Sequence, residues 1–148
     1  MIKSNIILLV DDDADERSLF VEAAGTINPP VICHVSPDGK EAMEFLEKNS
    51  DNLPGVIFLD INMPVMNGWH CLKELKSKER LKDIPVIMYS TSSRQREIDI
   101  AIDLGAVCFC VKPENFNMLK QILETVNNNL GSNLVEALKQ NNLKLFHF

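Results

Sequence analysis

Five polar residues each stand directly behind a short apolar run. Asp11 and Asp12 follow Ile6–Val10, and Asp60 follows Val56–Leu59. Ser90 ends the run opened by Pro85, and Lys112 follows Val107–Val111. If these runs are parallel strands of one sheet, their ends meet at one edge, where such sheets collect functional groups. Three carboxylates brought together repel and raise one another's pKa values. A chain that accepts this places a cation among them, and oxygen ligands with room for water suit Mg²⁺ or a similar hard divalent ion such as Mn²⁺. Lys112 adds a second, movable positive charge. Such a set suits phosphoryl transfer, which depends on positioning and charge stabilisation. A carboxylate can itself be the nucleophile and form an acyl phosphate. Taken singly, an Asp at a strand end is often a turn former or helix cap, and this fits Asp13. The plain reading fits the whole set poorly, because it needs an unrelated reason at every strand end.

The elements that must position these groups alternate along the chain. The run Ile6 to Val10 is long enough for a strand and too short for a helix. Asp13 to Ile27 has Leu19, Phe20, Ala23, Ala24 and Ile27 at helical spacing, and Asp13 with Glu16 looks like a capping box. A second strand spans Val31 to Val35. Ser36-Pro37 reads as an N-cap and first helical residue, leading into a helix with Ala42, Phe45 and Leu46 on one face. The third strand, Val56 to Leu59, leads through a loop with Pro64 and Asn67-Gly68 to a helix burying Trp69, Leu72 and Leu75. The fourth strand runs from Pro85 to Tyr89, and its helix carries Ile98, Ala101 and Ile102 and stops at Gly105. The fifth strand, Val107 to Val111, precedes a helix with Phe116, Leu119, Ile122, Leu123 and Val126. Five strands alternating with five helices predict an α/β fold, a parallel sheet covered on both faces with right-handed crossovers.

The chain has 148 residues, which fits one ordinary domain. Fifteen basic against 21 acidic residues give a formal charge of −6. That balance argues against nucleic acid as the main partner, since such binding needs clustered Lys and Arg. No segment approaches the roughly 20 apolar residues of a membrane span, and Met1-Ile2-Lys3-Ser4 lacks the pattern of a secretory leader. The expectation is a cytoplasmic protein. Cys33, Cys71, Cys108 and Cys110 form no C-x-x-C pair and read as core thiols, with Cys108 and Cys110 on one strand face. His34, His70 and His147 are scattered, and none falls at a convergent strand end.

These residues carry a resemblance. Val10-Asp11-Asp12, Leu59-Asp60-Ile61-Asn62-Met63-Pro64 with Asn67-Gly68, Pro85-Val86-Ile87-Met88-Tyr89-Ser90 and Lys112-Pro113 resemble the signature blocks of response-regulator receivers, the phospho-accepting domains of two-component signalling. Each block is moderately specific; four in order are highly specific. The resemblance covers about residues 3 to 128, a receiver domain placed at 1–128, and leaves 129–148 as a C-terminal extension. It implies a flavodoxin-like doubly wound sheet of strand order 2-1-3-4-5. It implies that Asp60 accepts the phosphoryl group and that Asp11, Asp12, Asp60 and the backbone carbonyl of Asn62 hold Mg²⁺ or Mn²⁺. Ser90 and Lys112 would stabilise the phosphoryl group, Ser90 and Phe109 would form the switch, and the Lys112-Pro113 bond would be cis. Asn62, Thr91 and Ser92 fall where relatives tune hydrolysis. Thr91 is bulkier than the residue often found there, and neither Asn62 nor Ser92 is an obvious base. The implied partners are a histidine kinase or phosphotransfer protein and a downstream protein that reads the face of the fourth helix, fifth strand and fifth helix. The domain would assist its own phosphorylation and dephosphorylation without being an enzyme. Phe109 also fits a plain core position.

Other functions fit less well. A haloacid-dehalogenase-like phosphatase using Asp60 as nucleophile would carry it in an Asp-x-Asp at the first strand and need a cap or longer core, whereas Asp60 sits on the third strand and is followed by Asn62. A flavin carrier would need a Ser-, Thr- or Gly-rich phosphate loop after the first strand, which Asp11-Asp12-Asp13 would oppose. A pseudo-receiver scaffold is disfavoured by the intact acidic set. The segment after residue 128 is too short for a DNA-binding output domain of about 60 residues or more. In the extension, Ser132 is a candidate helix cap, with Leu134 and Leu138 on one face. Leu143-Lys144-Leu145-Phe146-His147-Phe148 is apolar for a chain end. Packing back onto its own domain is one expectation; a homodimer contact or partner dock is the other.

Overall fold

The computed structural model describes residues 4–148; the opening Met1-Ile2-Lys3 lies outside them. Five strands form the parallel body of the sheet: β1 (Ile6–Val10), β2 (Ile32–Ser36), β3 (Val56–Leu59), β4 (Val86–Ser90) and β5 (Cys108–Val111). Between and after them come α1 (Ala14–Ala24), α2 (Gly39–Lys48), α3 (Gly68–Ser77), α4 (Gln95–Asp103) and α5 (Phe116–Asn128). The chain then adds α6 (Leu134–Lys139) and a short β6 (Phe146–His147). The sheet order is β2-β1-β3-β4-β5-β6, so the expected 2-1-3-4-5 order is present with an added antiparallel edge strand.

The apolar strands split the core by parity, because successive side chains point to opposite faces. Leu8, Val10, Ile57, Leu59, Val86, Met88 and Phe109 pack with α2, α3 and α4. Ile7, Leu9, Val56, Phe58, Ile87, Tyr89, Cys108 and Cys110 pack with α1 and α5. Phe20, Phe58 and Tyr89 meet edge to face on that second side, a favoured aromatic geometry. Burial pushes the thiols of Cys33, Cys71 and Cys108 up to about 12 and that of Cys110 well above the usual range, so they remain protonated.

Several local expectations are corrected. The second strand is not sealed on both faces: it lies at the sheet edge, with Ile32 47% and Val35 39% exposed. The following helix is capped by Asp38, whose side chain accepts from the Glu41 amide, while Ser36 completes β2. Asp13 caps α1 through the Asp15 and Glu16 amides, but its own amide donates to Asp11 Oδ1 and so leaves the box half-made. Helix α1 ends at Ala24, although Ile27 beyond it is still buried. Asn133, not Ser132, occupies the cap of α6. Lys112–Pro113 is trans, and Asn28–Pro29 is the cis peptide among the described residues.

The tail packs back on its own domain. Leu134 and Leu138 are buried with the α5 side of the core. β6 then pairs with the outer edge of β5, hydrogen-bonding an edge that would otherwise expose unpaired backbone.

Candidate phosphoryl-acceptor site

The site forms where β1, β3, β4 and β5 end. Pairing of Leu59 with both Val10 and Met88 holds the ends of β1, β3 and β4 level, and Ser90 lies opposite Val111. The Asp60 amide extends the ladder to the Val10 carbonyl at 2.9 Å, and the Lys112 amide reaches the Ser90 carbonyl at 2.7 Å. Each functional side chain thus sits on a backbone position tied to the next strand.

Carboxylate oxygens of Asp11, Asp12 and Asp60 all lie within 4.8 Å of one another. Asp11 is fully buried, Asp60 is partly buried and Asp12 is exposed. The Lys112 ammonium lies 2.8 Å from Asp11 Oδ2 and 3.9 Å from Asp60 Oδ1. Its resting partner is therefore Asp11, with Asp60 within a short swing. Burial pushes the Lys112 ammonium down, but the bond to Asp11 and the charges of Asp60 and Asp11 outweigh this and hold it charged, above its ordinary range.

Asp60 carries the opposite imbalance. Burial pushes its carboxyl up; Lys112 pulls it down; Asp11 pushes it up; the Ile61 amide, donating to Oδ1 at 2.9 Å, lowers it; Asp12 raises it. The net position is about 7. One ammonium cannot neutralise three neighbouring carboxylates, and the surplus negative charge is what a hard divalent cation would match. The donor set of Asp11, Asp12 and Asp60 fits such an ion by type and spacing.

The other candidates are placed less directly. Ser90 is buried, and its Oγ accepts from the Ser92 amide at 3.1 Å. Thr91 is exposed and Ser92 half-buried beside it. Asn62 is exposed on the loop after Asp60. Phe109 is fully buried on the α4 side of the sheet.

Three contributors had no assigned role in the sequence reading. The Tyr89 ring lies under Lys112, its centroid 5.4 Å from Nζ, so an aromatic face supports the ammonium. Arg17 Nη1 donates to the Asp11 carbonyl at 2.8 Å. Gly68 packs against the Asp60 carbonyl so closely that a Cβ there would overlap it, and its amide bonds Ile61 at 2.7 Å. Only the Asn67-Gly68 pair had a sequence signal, as a turn; the other two contacts depend on helix and strand placement.

The response regulator receiver domain family matches residues 7–124. This chain belongs to that family. The receiver is 34% identical over 127 residues to the chemotaxis protein CheY1 of Helicobacter pylori, covering 86% of this chain and 98% of that protein. Its fold matches the phosphorylated cyanobacterial phytochrome response regulator RcpA at a TM-score of 0.72 and 34% identity, covering 82% of this chain and 89% of the other. It matches the Mn²⁺-bound form of response regulator Rcp1 at 0.71 and 28% identity, covering 86% and 93%. The receiver is a CheY-like signalling module of two-component systems, and its acidic pocket of Asp11, Asp12 and Asp60 fits a phosphoacceptor. No helix among the described residues is long and apolar enough to cross a membrane.

Proposed function

We propose that this receiver takes a phosphoryl group from phosphohistidine onto Asp60. The observation that carries the reading is Lys112 poised between Asp11 and Asp60, inside a carboxylate cluster that lacks enough positive charge. The donor is a histidine kinase or a phosphotransfer protein. Asp60 Oδ1 is engaged by the Ile61 amide, which leaves Oδ2 to attack. The new bond joins that oxygen to phosphorus as the bond from phosphorus to the imidazole nitrogen breaks, and the imidazole is released to take up a proton. Lys112 swings from Asp11 toward the phosphoryl oxygens, and Ser90 Oγ turns from the Ser92 amide to meet them. Mg²⁺ or Mn²⁺ would be held by Asp11, Asp12, Asp60 and the Asn62 carbonyl, and would supply charge neutralisation for the transferred group. The relatives RcpA, phosphorylated, and Rcp1, Mn²⁺-bound, support both parts of this reading.

Phosphorylation places about −1.5 to −2 charges at a site already rich in acid. Ser90 and Phe109 relay the change to the α4–β5–α5 face, which a downstream protein reads. Phe109 is already fully buried while Ser90 Oγ still accepts from the Ser92 amide, so its part in the relay is a repacking within the core rather than a swing in from the surface. Water resets the acyl phosphate slowly, because Asn62, Thr91 and Ser92 offer no base beside Asp60. The receiver body spans 1–128 and the extension 129–148, and the protein works in the cytoplasm without nucleic acid.

Incubation with acetyl phosphate and Mg²⁺ tests the reading by mass. Wild type gains one phosphoryl adduct, Asp60→Asn gains none, and the adduct outlasts many minutes. Labelling of Asp60→Asn at the wild-type level overturns the acceptor assignment, and a half-life of seconds overturns the slow reset. Absence of any adduct in wild type would instead favour a scaffold.

A further inference from the structure

The outer edge of β5 is already occupied. Phe109 stands opposite His147 and Cys110 opposite Phe146, and the Val111 amide donates to the Leu145 carbonyl at 2.8 Å. One residue later the Lys112 amide donates the other way, to the Ser90 carbonyl at 2.7 Å, and its ammonium holds Asp11. The short backbone run from Phe109 to Lys112 is therefore gripped by the tail on one side and by β4 and the acidic site on the other.

The tail's seat is uneven. Leu134 and Leu138 anchor α6 in the core. Past Leu138 no described residue is buried: Leu143, Leu145, Phe146 and His147 are half-buried, and Lys144 and Phe148 are exposed. Lys144 has φ 59°, a backbone conformation uncommon outside glycine. β6 itself is two residues long. Segments with few buried apolar contacts open at far lower free energy than the core. The last six residues thus hold no fully buried anchor of their own, with Leu143, Leu145 and Phe146 only partly buried against the α5 side of the core.

We propose that residues 143–148 are an autoinhibitory strand: they cover the β5 edge at rest and leave it when Asp60 is loaded, which opens the α4–β5–α5 face to a partner. The inference rests on the receiver reading above. A group on Asp60 draws Ser90 and Lys112 toward it. Both are tied by backbone to the end of β5, so the Val111 amide is drawn inward, off Leu145. A sheet edge freed this way is a template for an incoming extended segment. The coupling is reciprocal: if loading loosens the strand, loosening the strand favours loading by the same factor.

Hydrogen exchange on the full-length chain, with and without beryllofluoride and Mg²⁺, tests this. Amides of residues 143–148 and of Val111 exchange about fivefold or more faster in the loaded protein, a typical size for coupled sites. His147→Pro removes a backbone N–H that faces β5, opposite Phe109, and its beryllofluoride titration midpoint, read by calorimetry, falls by about the same factor. Unchanged or slower exchange of 143–148 in a chain that calorimetry shows to be saturated overturns the proposal while leaving the receiver reading intact, as does an unchanged midpoint in His147→Pro. A wild-type chain that binds no beryllofluoride overturns the receiver reading and this inference with it.

Discussion

Neutralising Asp60 should stabilise the protein, and by an amount that depends on pH. Its carboxyl titrates at about 7 in the fold against an ordinary 3.8. Between those values the folded chain holds a proton that the unfolded chain has released. Stability therefore falls as pH rises through this window, and the full penalty is present above about pH 7. The displacement corresponds to roughly 4 kcal/mol at about 1.4 kcal/mol per pH unit. The Asp60 side chain is 13% exposed, and solvent screening reduces the expected gain from Asp60→Asn to about 2–3 kcal/mol at about pH 8. Asn keeps an oxygen for the Ile61 amide, so little else is lost. The assay is urea unfolding of both proteins in a chelator at several pH values between about 5 and 8, where the difference between them isolates Asp60. The advantage of the variant should grow across that range and then level off. Adding Mg²⁺ at the upper end should stabilise wild type by about 2.7 kcal/mol at a hundred times its dissociation constant, and Asp60→Asn far less. A difference that is flat with pH in chelator, or equal stabilisation of both proteins by Mg²⁺, refutes the charge argument.

Three further outcomes follow from contacts at and beyond the site. Lys112→Ala leaves the fully buried Asp11 without its 2.8 Å partner, and should cost about 3–5 kcal/mol in denaturant unfolding near neutral pH as well as abolish acetyl-phosphate labelling; full labelling would show that the ammonium has no part in transfer. Gly68→Ala forces a Cβ onto the Asp60 carbonyl, with Ile61 Cα only 2.8 Å away, and should cost about 1–3 kcal/mol and cut labelling; wild-type stability would mean that the loop yields freely. Leu138→Ala removes a buried anchor of the tail and should lower unfolding stability by about 2–5 kcal/mol; a change below measurement would mean that α6 does not share the core.

The alternation of apolar runs and amphipathic stretches was enough to read the five strands, because each run of central strands is buried on both faces and leaves an unbroken signature. It misread Val31–Val35 as equally sealed, since an edge strand and a central one can have the same composition. It also placed the cap of α2 at Ser36 rather than Asp38; both are good capping residues, and which one caps depends on where β2 lets go of β1. The two-residue β6 has no periodicity to detect, and its apolar residues read equally well as packing or interface.

By itself, the sequence determined which groups would converge. In a parallel sheet every strand points the same way, so residues placed after strand ends meet without any long-range information beyond strand order. Tertiary structure alone decided how they are paired. Lys112 rests on Asp11 rather than Asp60, Tyr89 lies beneath it, and Asp60 is left carrying unmatched charge. These depend on distances of a few ångströms and on burial, which strand-end placement does not set. Tertiary structure also decided the fate of the tail: an open β5 edge offers unpaired backbone groups, and the only sequence requirement for filling it is an extended segment held within reach.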